Sequence, residues 1–207
     1  QSAGMDPSFA IGGTINAAGT NAHSGSGSIF VAEADESDGS FTAYKPFGAI
    51  ITNIELDHVD NFKDIGAIDV IFQNFVLTIA SDGFLVLDID DPGIVRLMSY
   101  VKENRPDLKI TTYGESSSAD VIIDRIFLDQ KSSRARVTLK GRVLGEISLA
   151  VPGRHNLFNA AAALTMGMNL GATTQELLEG LGIFTGARRR FEIKGAIDGI
   201  KIGRAHV

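Results

Sequence analysis

The feature that most constrains this chain is an apolar run that stops at a wall of carboxylates. Residues 29–32 (Ile-Phe-Val-Ala) have strand character, and Glu33, Asp35, Glu36 and Asp38 follow at once. Two like charges ~4 Å apart repel by about 4 kcal/mol at an effective dielectric near 20, so such a knot beside a buried strand calls for an offsetting charge. A divalent cation supplies one. In open α/β sheets ligands collect outside the carboxyl ends of the strands, which is where these acids fall if residues 29–32 form a central strand. A solvated acidic loop is the competing reading.

A second segment has the same layout. Residues 49–52 (Ala-Ile-Ile-Thr) read as a short buried strand that opens into Asn53, Glu55, Asp57, His58 and Asp60. Oxygen donors suit magnesium, which takes one or two protein ligands and leaves its other positions to water and phosphate. A lone His is usually structural, but one beside three carboxylates after a strand points to a site.

Composition narrows the partners. A chain of 207 residues is long enough for one domain. The net charge of -6 argues against nucleic acid or an anionic membrane, both of which call for surplus Lys and Arg. With no cysteine there is neither a disulfide framework nor a thiolate metal site. No signal peptide and no apolar run near 18 residues is evident, so a cytoplasmic location is expected.

Taken in order, residues 1–5 read as the end of a helix closed by Gly4, and residues 8–13 as a short strand ending in Gly12-Gly13. Residues 16–28, rich in Gly, Asn and Ser with His23 among them, read as a loop whose backbone could approach a ligand closely, or as a plain connection. Ile65, Ile68, Ile71, Phe72, Phe75, Val76 and Ile79 recur at helical spacing and predict an amphipathic helix packed on a sheet. A strand over 83–87, a helix over 92–104 capped by Asp91, and a strand over 110–113 follow. This alternation predicts an α/β fold with a mostly parallel sheet flanked by helices. Strands over 121–128, 135–139 and 146–151, with no helix between them, predict a small antiparallel meander at one edge. Arg134, Arg136, Lys140 and Arg142 form its expected solvated face, and no tight hairpin dipeptide sets its turns. Asn156 and Asn159 then share one face near the start of a helix, suited to a nucleobase edge or a phosphate, with helix capping by Asn156 as the alternative. A short helix over 174–181 precedes Arg188, Arg189 and Arg190, whose planar forks suit phosphate.

Four stretches in this order resemble the Mur ligase family: residues 32–38 (AEADESD), 52–58 (TNIELDH), 153–160 (GRHNLFNA) and 189–191 (RRF). The resemblance covers residues 1–200 and implies the P-loop NTPase-like central domain of a three-domain enzyme that uses ATP and magnesium to join a carboxylate to an amine through an acyl phosphate. Within the family it points to the branch acting on UDP-N-acetylmuramate and L-alanine. Carried over by position, the resemblance makes Glu33 the ligand of one magnesium and His58 of a second. It gives Asn156 and Asn159 to the nucleotide and Arg190 to its phosphates, and turns Asn21, Ala22 and His23 toward the UDP-sugar.

Three features qualify it. The phosphate loop G-x-x-x-x-G-K-[ST] is absent, since no Lys follows a Gly here. The helix after His58 carries no Lys beyond Lys63, as expected for the alanine-adding branch. Residues 201–207 leave the family pattern, and a codon string that encodes them resembles a short-read sequencing adapter, so they are expected to be a non-native tail. The expectation is a fragment inactive without its P-loop and its N- and C-terminal domains. A sister ligase that recycles murein peptide and a non-catalytic nucleotide-binding module are the alternatives.

Overall fold

The computed structural model describes residues 2–16, 18–37, 39–56, 62–187, 192–197 and 200–204, the last two stretches as backbone only. A six-stranded sheet organises the molecule. Its strands are β4 (Gly48–Ile51), β5 (Phe84–Asp88), β6 (Lys109–Gly114), β7 (Val121–Leu128), β8 (Ser133–Leu139) and β9 (Arg142–Leu149), lying side by side in chain order. The first four run parallel, β8 turns back antiparallel to β7, and β9 is antiparallel to β8 in turn. The expected parallel sheet with an antiparallel meander is therefore present.

Around β5 both faces of this sheet are covered because the strand presents apolar residues on both sides, whereas β7, β8 and β9 bury residues on one side only. All five residues of β5 are buried, as a strand between two helical layers requires. On one face, Ile51, Leu85 and Leu87 meet α1 (Ile65–Thr78) and α2 (Pro92–Asn104) through Ile68, Phe72, Val76, Ile94 and Val101. On the other, Val86, Tyr113, Val121 and Val137 meet α3 (Arg154–Asn169) through Leu157, Ala160, Ala161 and Leu164. The small alanines bring α3 close to the sheet. Fully burying one Leu or Val contributes about 1.5–3 kcal/mol, so this double layer supplies most of the fold's stability.

The caps follow the expected chemistry. Asp91 accepts the Ile94 N–H at 2.8 Å at the start of α2. Thr173 and Glu176 form a capping box on α4 (Thr174–Gly182). The carboxyl end of α1 is closed from outside: the Arg105 guanidinium donates to the carbonyls of Val76 and Ile79 at 2.8 and 2.9 Å.

Four sequence expectations change. Residues 2–4 form a turn rather than the end of a helix, with Gly4 at φ 67°. Lys140 and Gly141 both take positive φ, 48° and 83°, between the paired Leu139 and Arg142. This two-residue hairpin turn went unread because Lys rarely occupies a left-handed position. Arg136 is not simply solvated, since its guanidinium engages Asp124 on the neighbouring strand.

The largest change concerns residues 29–32. Strand β3 (Phe30–Ala32) is not a central strand of the main sheet. It pairs parallel with β1 (Ser8–Ala10), which pairs antiparallel with β2 (Ala22–His23), in a separate three-stranded sheet. All three residues of β3 are exposed, Phe30 at 65% and Val31 at 47%. Its apolar composition suits a covered strand, but α3 and α4 stand off from it across an open cavity of about 280 Å³ that Val31 lines together with Leu164, Leu177 and Leu181, so the strand stays exposed. Strands β10 (Glu192–Ile197) and β11 (Ile200–Arg204) form an antiparallel hairpin, so the backbone of residues 201–204 is strand.

Candidate active site at the strand tips

The two acidic segments meet although their strands lie in different sheets. After β3 the chain passes Glu33 to Glu36 and enters a 3-10 turn over Ser40–Ala43, whose Phe41 is buried against Phe72 and Phe75 of α1 at centroid distances of 5.2 and 4.9 Å. This aromatic anchor brings Ala34 and Glu36 beside the segment leaving β4. Together with Thr52, Asn53 and Glu55 they line a cavity of about 190 Å³ floored by Phe41, Phe72 and Phe75. Glu33 stands apart from that lining. Its Oε2 accepts the Gly12 N–H at 2.7 Å, and its own N–H donates to the Ala10 carbonyl. Glu33 is thereby held at the carboxyl end of the parallel β1/β3 pair.

The next two strands end in a denser polar cluster. Burial pushes the Asp88 carboxyl up to about 6; the Asp90 N–H bond opposes this and the charges of Asp90 and Asp91 add to it. Beside Asp88 in register, Tyr113 is fully buried, and its hydroxyl has no hydrogen-bond partner among the described residues. Burial and the nearby Asp88 raise its pKa. Asp90 accepts the N–H groups of Glu115 and Ser116 at 2.5 and 3.0 Å. Glu115 in turn meets Arg154 at the start of α3, Oε1 to Nη2 at 2.5 Å.

The start of α3 carries both predicted asparagines. Asn156 is half-buried and donates its side-chain amide to the Pro152 carbonyl at 2.6 Å. It does not serve as the helix cap, a position held by Gly153 without a side-chain bond. Asn159, one turn on, is exposed.

Asn21, Ala22 and His23 are all exposed, and Ala22 and His23 form β2 rather than loop. The His23 ring lies 5.6 Å from that of Phe9, and its Nε2 is 3.2 Å from Asp6 Oδ1. The glycine-rich approach expected nearby is made to the chain itself: a Cβ on Gly25 or Gly27 would fall about 2 Å from the carbonyl oxygen of Asp6 or Met5. Asp6 also accepts from Ser26 N and Oγ, and these bonds hold its carboxyl down to about 2. His58 and Arg190 lie outside the described residues.

Six predicted site residues can thus be placed: Glu33 at the end of the β1/β3 pair and outside the cavity lining, Asn156 and Asn159 on α3, Ala22 and His23 on the small sheet, and Asn21 just before it. Among the described residues no three His, Asp or Glu side chains converge as a ready metal cage. The donors around the cavity are oxygens from Glu36, Asn53, Glu55 and Thr52, a hard set that fits magnesium bound jointly with phosphate. Asp88, Asp90 and Glu115 were missed as a group. A signal existed, because Leu87-Asp88-Ile89-Asp90-Asp91 repeats a third time the layout of a buried strand followed by acids. Only Asp91 had been read from it, as a cap.

Comparison with known proteins agrees with this architecture. The Mur ligase middle domain family matches residues 15–167. A UDP-N-acetylmuramate--L-alanine ligase of Acidothermus cellulolyticus is 46% identical over 202 residues, covering 98% of this chain and 42% of that protein. One from Renibacterium salmoninarum is 43% identical over 97% of the chain and 42% of its own length. The chain thus spans less than half of these relatives. Among solved structures, a UDP-N-acetylmuramate-alanine ligase from Thermotoga maritima superposes with a TM-score of 0.79 at 25% identity, over 98% of this chain and 44% of its own. The UDP-N-acetylmuramate:L-alanyl-gamma-D-glutamyl-meso-diaminopimelate ligase from Neisseria meningitides gives 0.77 at 27%, over 91% and 60%. The chain belongs to the Mur ligase family, whose middle domain its residues 15–167 match.

Proposed function

We propose that this segment is the ATP-handling part of an enzyme joining L-alanine to UDP-N-acetylmuramate. The observation that carries the reading is the convergence of the acidic segments after β3 and β4 on one cavity at the carboxyl ends of parallel strands. The identity to the alanine-adding relatives directs it to that substrate pair.

In this reading Glu33 and His58 hold magnesium, which supplies positive charge to the phosphate oxygens of ATP. Glu33 is suited to the task because the Gly12 N–H fixes its carboxylate. Asn159 offers a donor and an acceptor to the nucleotide from the exposed face of α3, and Asn156, tied to Pro152, steadies the turn before it. Arg190 serves the phosphates, and the segment Asn21-Ala22-His23 faces the UDP-sugar. The phosphate loop and both outer domains belong to the rest of the enzyme, so the segment alone is expected to be inactive.

A second reading, a murein-peptide ligase, draws on the likeness to the Neisseria structure. The test is phosphate release by the full-length gene product with ATP, magnesium and UDP-N-acetylmuramate. Release that depends on L-alanine supports the first reading, and release that requires a preformed peptide instead supports the second. Binding of ATP with no release under either condition leaves only a nucleotide-binding module.

A further inference from the structure

The turn leaving β5 joins two parts of the molecule that the proposed function needs in register. Asp90 and Asp91 are adjacent, yet their carboxylates reach opposite ways. Asp91 accepts the Ile54 N–H at 3.2 Å while capping α2, and so holds the segment containing Asn53 and Glu55 at the cavity. The contact is close: a Cβ on Gly93 would lie 2.4 Å from the Ile54 carbonyl. Asp90 instead receives two successive N–H groups, from Glu115 and Ser116, and so fixes the loop leaving β6. Gly114 permits this at φ 155°, where a Cβ would sit 2.6 Å from the Asp90 carboxylate.

That loop has a further connection. Glu115 Oε1 is buried, has no aligned hydrogen-bond donor among the described residues, and is balanced by the Arg154 guanidinium at 2.5 Å. Arg154 is the first residue of α3 and lies 5.4 Å over the Phe158 ring, so its position is coupled to the turn that carries Asn156 and Asn159. None of these three charged groups lines the cavity.

We propose that Asp90, Glu115 and Arg154 form a positioning relay that sets the start of α3, and with it the asparagine pair, at a defined distance from the acidic cavity. The relay acts on nucleotide binding through other residues and touches no substrate itself. It rests on the reading of Asn156 and Asn159 as nucleotide-binding groups.

The experiment measures KM for ATP, KM for UDP-N-acetylmuramate, kcat and thermal unfolding in the full-length ligase. Asn159→Ala tests the underlying reading and is expected to raise the ATP KM about tenfold. Asp90→Asn, which sets an amide against two N–H donors, is expected to raise it by a similar factor. Glu115→Gln, on a partly exposed pair, is expected to raise it about threefold with the unfolding temperature unchanged. The KM for the UDP-sugar stays at its wild-type value in all three. Single charge reversals Glu115→Arg and Arg154→Glu weaken ATP binding, and the double reversal restores it. A relay is refuted if Asn159→Ala raises the ATP KM while Glu115→Gln leaves it unmoved, or if the double reversal is no better than either single. An unmoved ATP KM in Asn159→Ala refutes the nucleotide reading itself and the relay with it.

Discussion

The six-stranded and three-stranded sheets are built from similar residues and end in similar acids, yet they differ in what surrounds them. Strand β5 reads Phe-Leu-Val-Leu-Asp and is buried throughout, while β3 reads Phe-Val-Ala and is exposed throughout. The difference lies in the neighbouring layers: α1 and α2 cover one face of β5 and α3 the other. No described helix packs on β3 in the same way. Apolar composition states what a strand can bury, and only the surrounding elements decide whether it does.

The sharpest break of this comparison is a pair of truncations. Leu87→Ala in β5 removes a side chain with no exposure and is expected to cost about 2–5 kcal/mol in urea unfolding, through lost transfer energy and the cavity left behind. Val31→Ala in β3, at 47% exposure, is expected to cost less than about 0.5 kcal/mol. Similar losses at both sites would mean that β3 is covered in solution.

The acids at the two sheets should titrate in opposite senses. Asp88, under the α3 layer, holds its proton up to about pH 6, whereas an unfolded chain releases it near 3.8. The native state binds more protons between these values, so stability falls as pH rises through the window, by up to about 3 kcal/mol, and is flat above it. Asp88→Asn keeps the acceptor for the Asp90 N–H and should abolish that slope in unfolding measured from pH 4 to 7.

Next in size is Arg105→Ala. It strips the Val76 and Ile79 carbonyls of their donors at the end of α1, with an expected loss of about 1–3 kcal/mol in the same assay. The smallest effect belongs to Asp6, beside the three-stranded sheet. Its folded pKa is depressed to about 2, so its contribution is present above about pH 4 and is lost as pH falls through about 2. Asp6→Asn should therefore lower the unfolding temperature slightly at pH 7 and not at all at pH 1.5. An Asp6 effect as large as that of Asp88 would erase the distinction between the two sheets.

Much of the main sheet was legible from periodicity. The span of α2, its Asp91 cap and the eight residues of β7 were anticipated to the residue, because Pro92, the helical spacing and the β-branched runs all point the same way. The Lys140-Gly141 turn was not, since its left-handed Lys is set by the strands it joins. The site was legible in part. Acids after strands pointed to the cavity that Glu36 and Glu55 line, with Glu33 outside that lining, but the same signal at Asp88 and Asp90 was absorbed into a helix cap. Glu115 and Arg154 could not be paired from the sequence, since their contact depends on how α3 crosses the sheet.

Local chemistry alone determined most strands and helices of the main sheet, the amino-terminal caps of α2 and α4, and that carboxylates gather at strand ends. Those outcomes depend on residues within a few positions of one another, so the order of side chains specifies them directly. Which strands share a sheet, which apolar faces are covered, and which distant charges meet were decided by the tertiary structure. Phe41 closing on α1, Asp90 reaching the loop after β6 and Glu115 reaching Arg154 each join residues 25 to 39 positions apart, and such contacts form only when whole layers pack.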